Sequence, residues 1–173
     1  VSWTNSWEDD AATAEATKNL LDAHNIDVLT MHSDSLIPLD IAEERGVMSI
    51  GYNWDNSTNY PETYLTAAVW DWESFYKPII LKCLQGKFEG KNYWEGIDSG
   101  VVDLAPLTDK VNPETQTVTL QEMEKLRSGT YDVFCGPVYD NAGNLRIEEG
   151  ECMTNNAMLN EFDWYVEGVV SDE

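Results

Sequence analysis

The chain has 173 residues, enough for one domain with a sizeable core, and its 42% hydrophobic and 24% charged content is ordinary for a globular protein and excludes a disordered tract. Thirty-two acidic residues against ten basic ones leave a formal charge of −22. That field repels phosphate backbones and anionic headgroups, which excludes nucleic acid as a partner.

The sequence opens with Val1-Ser2-Trp3-Thr4, a strand-like run with no signal peptide before it. This predicts a fragment whose leader lies upstream. Asp9 and Asp10 supply cap chemistry for a helix over 11–23, with Ala12, Ala16 and Leu20 on one face. Residues 27–31 read as a buried strand. Ser35 is expected to cap a helix over 36–45 with Pro38 in its first turn and Gly46 as its stop, followed by a strand over 47–51. This rhythm predicts an α/β fold with a parallel sheet flanked by helices. Ligands of such sheets bind outside the carboxyl ends of the strands, here residues 5–7, 32–35 and 52–55. Residues 56–62 are a polar connection and 64–69 a strand. Trp72 to Leu84 forms an amphipathic helix, expected to kink at Pro78 and to bury Cys83 as a free thiol. An irregular stretch runs from Gly90 through Leu107. Asn112 and Pro113 begin a helix ending at Gly129, and a hairpin joins 133–139 to 145–148 around Ala142-Gly143. It brings Cys135 opposite Cys152, predicting a disulfide. Thr154 caps a short helix, and residues 162–166 close the chain. With no CxxC pair and only His24 and His32, no metal or cofactor is expected.

Six segments, in order, resemble the basic membrane protein (purine nucleoside receptor) family of ABC-transporter substrate-binding lipoproteins. They are Thr4-Asn5-Ser6-Trp7, Met31-His32-Ser33-Asp34-Ser35, Ile50-Gly51-Tyr52-Asn53-Trp54-Asp55, Gly100-Val101-Val102-Asp103-Leu104-Ala105-Pro106, Val133-Phe134-Cys135-Gly136-Pro137 and Asp163-Trp164-Tyr165-Val166-Glu167-Gly168-Val169. The resemblance implies a two-lobe type I periplasmic-binding-protein fold, of which this chain is mainly the second lobe. Residues 1–55 and 91–173 would belong to that lobe, and 56–90 would be a hinge crossing with one β-α excursion into the first. It implies an extracytoplasmic protein, in the periplasm or on the outer face of the membrane, lipid-anchored through a missing N-terminus. Its partners would be a purine and the subunits of an ABC permease.

By the same resemblance Trp7 stacks on the base, since a purine has two broad π-faces. Ser33 lies beside the sugar, with Asp34 next to it, and Asn53 and Asp55 meet ribose hydroxyls or a purine N–H. Trp70 departs from the pattern. Nucleoside-binding relatives place Lys there to reach the ribose, and an indole cannot replace that donor. The expected ligand is therefore a free nucleobase ahead of a nucleoside. Three other readings stay open: a sugar binder of the same fold, a nucleoside or glycoside hydrolase drawing on acids such as Asp34, and a surface antigen. Without G-x-S-x-G, H-E-x-x-H or a phosphate loop, the sequence does not read as an enzyme. The apolar face over 64–86 predicts self-association of this chain.

Overall fold

The computed structural model describes residues 1–171. An Asp9 carboxylate oxygen accepts the Ala12 amide at 2.9 Å and opens α1, Asp10–Ala23. β1, Val28–Thr30, leads to α2, Ile37–Arg45, which Gly46 ends in the left-handed conformation at φ 70°. β2, Met48–Asn53, and β3, Tyr64–Trp70, follow. Asp71 caps α3, Trp72–Leu84. A 3-10 turn, Ile97–Ser99, precedes β4, Val102–Leu104. Asn112 caps α4, Pro113–Arg127. β5, Val138–Tyr139, and β6, Leu145–Ile147, form the hairpin, and Thr154 caps α5, Asn155–Asn160.

The main sheet has the order β1-β2-β3-β4. β1, β2 and β3 are parallel, and β4 adds an antiparallel edge. A core of Met31, Leu39, Tyr60, Tyr64, Ala67 and Ala105 joins α2 to the sheet. Gly51 is required where it stands: a Cβ there would lie 2.6 Å from the Tyr64 hydroxyl. That hydroxyl accepts the Asn56 amide at 3.1 Å, and burial holds its pKa above the usual value. Tyr60 donates to Asp40 at 2.8 Å, and burial, aided by Asp40, pushes it up to about 12.

Several expectations are corrected. Residues 1–4 form no strand, because a strand needs a ladder partner. The Trp3 indole N–H instead donates to the Tyr165 hydroxyl at 2.7 Å. Leu36, not Ser35, holds the N-cap position of α2, while the Ser35 hydroxyl donates to Asp10 and accepts the Ile37 amide at 3.4 Å. α3 runs on through Pro78, contains no buried residue and leaves Cys83 exposed, because most of its apolar face lies at the surface. The irregular stretch before Leu107 contains β4. Within the segment 56–90, β3 pairs along β2 in the parallel sheet. The expected Cys135–Cys152 disulfide is formed.

Candidate functional site

The carboxyl ends of the strands gather an aromatic patch. The Ser33 hydroxyl and the Asp34 amide both donate to the Trp7 carbonyl oxygen, each at 3.1 Å. This ties residues 5–7 to the end of β1 while the indole stays 52% exposed. The Trp7 and Tyr52 rings lie 28° from parallel with centroids 6.3 Å apart. His32 stands edge-on to both, at 5.1 and 4.6 Å.

Sheet register extends the patch. Tyr52 pairs with Ala68, and side chains two residues apart share a face. Tyr52 and Trp70 are therefore diagonal neighbours, and their rings meet edge-on with centroids 6.3 Å apart. Trp70 stacks in turn on Trp72, at 5.8 Å and 27°. A hollow of about 300 Å³ opens among His32, Tyr52, Trp70 and Val102, and a larger one of about 600 Å³ lies between Trp7, Leu20 and Leu29. His32 lines both.

Polar groups border the rings. Asn53 ends β2 with φ 79°, a left-handed conformation uncommon outside glycine. Its side-chain amide nitrogen donates to Asp34 at 2.9 Å. Such backbone outliers cluster at ligand-binding sites. The arrangement offers a flat ring several aromatic surfaces and, beside them, oxygen acceptors.

The fold thus brings together Trp7, Asp34, Asn53 and Trp70. Ser33 is 9% exposed, and its hydroxyl also accepts the Ser35 amide at 3.2 Å, so it serves the loop that holds Trp7. Asp55 accepts the Ser57 amide at 2.9 Å and caps a local turn. Sequence reasoning placed His32 and Tyr52 in the strand-end segments but singled out neither as a ligand contact, and it left Trp72 out of the site. Tyr52 could have been found from the alternation Ile50, Tyr52, once β2 is set beside β3.

The α/β fold, a largely parallel sheet flanked by helices, is shared with solved ABC-transporter solute-binding proteins. A solute-binding protein from Conexibacter woesei superposes with a TM-score of 0.58 at 21% identity, over 75% of this chain and 44% of that one. One from Aeropyrum pernix gives 0.56 at 14%, over 73% and 45%. A transcriptional activator of the comK gene from Bacillus halodurans gives 0.69 at 20%, over 76% and 47%. Residues 1–134 match the family described as ABC transporter substrate-binding protein, PnrA-like, and the chain belongs to that family.

A purine-binding protein of Brucella abortus is 32% identical over 170 residues, 98% of this chain and 47% of that protein. A candidate ABC transporter glucose-binding protein of Haloferax volcanii is 29% identical over 169 residues, 98% of this chain and 40% of that protein. The chain spans about half the length of the curated relatives it matches.

Proposed function

We propose that the protein is an extracytoplasmic receptor that binds a purine, nucleobase ahead of nucleoside, and delivers it to an ABC permease. The observation that carries this reading is the run of rings from Trp7 through Tyr52 to Trp70 at the ends of the strands. Aromatic platforms suit purine faces, and the similarity to a purine-binding protein points the same way. Trp70, stacked on Trp72, occupies the point where the resemblance implies a ribose-binding Lys, which favours the smaller ligand. Binding would close two lobes over the ligand without chemistry.

The Cys135–Cys152 disulfide accords with an oxidising compartment. Among the described residues no helix is long and apolar enough to cross a membrane. A lipid anchor outside the described residues would hold the receptor at the membrane. In the proposed two-lobe protein the crossing to the other lobe follows Trp70, because β3 belongs to this sheet and α3 contributes nothing to its core.

The similarity to a candidate glucose-binding protein favours a second reading, in which Trp7 stacks on a pyranose. Calorimetry on the full-length protein with adenine, guanine, adenosine, guanosine and glucose tests both. Nucleobases should bind most tightly. Binding of glucose alone would establish the second reading, and conversion of inosine to hypoxanthine would exclude a pure receptor.

A further inference from the structure

We propose that Asp34 is a positioning residue. It fixes which end of the Asn53 side-chain amide meets the ligand, and so selects purines that present an amino group at that point. The inference rests on the purine reading above.

The oxygen and nitrogen of Asn have similar size and shape but opposite hydrogen-bonding character. An Asn free to turn over at the edge of a site can present either, and it discriminates poorly between an amino group and an oxo group. Asn53 is not free to turn. Its Nδ2 donates to Asp34 Oδ1 at 2.9 Å. An ionised carboxylate only accepts, so turning the amide over would set two acceptor oxygens against each other. The carboxylate therefore dictates that nitrogen faces Asp34 and that Asn53 Oδ1 occupies the other branch of the amide.

Both partners are anchored by backbone. Asn53 pairs with Val69 at the end of β2, in the left-handed conformation. The Asp34 amide donates to the Trp7 carbonyl oxygen at 3.1 Å, so the residue that orients Asn53 is attached to the segment carrying the exposed indole. Among the described residues, neither Asn53 Oδ1 nor Asp34 Oδ2 has a hydrogen-bond partner. Tyr52, next to Asn53, and His32, two residues before Asp34, belong to the ring cluster. A purine stacked on these rings whose edge extends past the ends of β1 and β2 would meet acceptors held in a set order. A ligand N–H there gains a bond, whereas a ligand oxygen opposes one.

The test uses two pairs of bases differing in one substituent: adenine against hypoxanthine, and guanine against xanthine. Affinities are measured by calorimetry on the full-length protein at neutral pH. The unaltered protein should prefer the amino-bearing member of at least one pair tenfold or more. Asp34→Asn can accept or donate and so releases the amide. It should shrink that ratio at least fivefold, mainly by strengthening the oxo-purine. Asp34→Glu, which keeps a carboxylate, should retain more of the ratio. An unchanged ratio in a folded Asp34→Asn protein would overturn the positioning role while leaving the purine reading intact. Equal loss of both members would overturn it too, because it would mark Asp34 as a direct contact. If the unaltered protein binds no purine, the purine reading fails and this inference fails with it.

Discussion

Trp7 and Asp34 are joined by a backbone hydrogen bond of 3.1 Å, from the amide of the acid to the carbonyl of the tryptophan. Ser33 adds a second bond to the same oxygen. The position of Trp7 is thus set by main chain, while its ring is left half in water. Removing the ring should cost binding without unfolding the segment that carries it.

Trp7→Ala should weaken purine binding by about 1–3 kcal/mol, the range for one stacking platform, or roughly fivefold to 150-fold. Calorimetry on the full-length protein, with circular dichroism to confirm the fold, checks this. An unchanged dissociation constant would make Trp7 a bystander.

Trp70→Lys should move preference from nucleobase toward nucleoside. The substitution removes a ring that stacks on Trp72 and meets Tyr52 edge-on, and it supplies a flexible ammonium donor for sugar hydroxyls. The ratio of adenine to adenosine affinity is the readout, and it should fall. A ratio that rises or holds would separate Trp70 from ligand choice.

What the sequence made legible was what is decided locally. The helix starts at Asp9, Asn112 and Thr154 could be read because each cap bonds an amide three residues away. Trp7 and Trp70 could be read because an aromatic residue at a strand end is conspicuous. Val1–Thr4 misled because alternation describes one strand while a strand exists only in a pair. β4 was missed because three residues gain strand geometry from β3, more than 30 residues earlier. Cys83 misled for a related reason: an amphipathic helix has an apolar face whether or not anything covers it. Ser33 and Asp55 are residue types that serve loops as readily as ligands, and both have loop roles here.

Stability should rise with salt. Ion pairs such as Arg127–Asp103 and Lys125–Glu122 are exposed and contribute little, so screening them loses little. The formal excess of 22 negative charges opposes compaction as a whole. Raising ionic strength from about 0.01 M to 1 M shortens the Debye length from about 30 Å to about 3 Å, which relieves that repulsion. The unfolding midpoint should increase steadily across this range in sodium chloride. A midpoint that falls would mean that the surface pairs outweigh the net charge.

Alkali should destabilise the fold partly through Tyr60. Its pKa is raised from 10.0 to about 12 by burial and by Asp40. Below pH 10 both folded and unfolded chains keep the proton, and the contribution is fully present. Between pH 10 and about 12 the unfolded chain releases the proton first, so stability falls as pH rises through this window. Tyr64 is shifted in the same direction, also chiefly by burial. Tyr60→Phe should lower stability at pH 8, through loss of the bond to Asp40, and should flatten the decline above pH 10 without abolishing it. Urea unfolding at pH 8, 10 and 11 measures both effects, and an unaltered slope would assign the alkaline loss elsewhere.

Trp72, Tyr76, Ile80 and Leu84 recur every four residues and so form one stripe, and their exposures are 49%, 53%, 56% and 79%. Contiguous apolar surface of this kind is unusual on a monomer in water. Self-association through residues 64–86 was the expectation from sequence, but Tyr64 and Ala67 of β3 are buried in the sheet, which confines any contact to α3. The 173-residue chain alone should therefore pair through this stripe, and light scattering should give a mass above 19.6 kDa. Ile80→Asp together with Leu84→Asp should return it to the monomer mass. The full-length protein should be a monomer with or without these changes if its other lobe covers the stripe, and there the same pair of substitutions should lower the unfolding midpoint instead. A monomer of the unaltered 173-residue chain, or a full-length protein indifferent to both substitutions, would show that the stripe has no partner and would remove the ground for assigning α3 to another lobe.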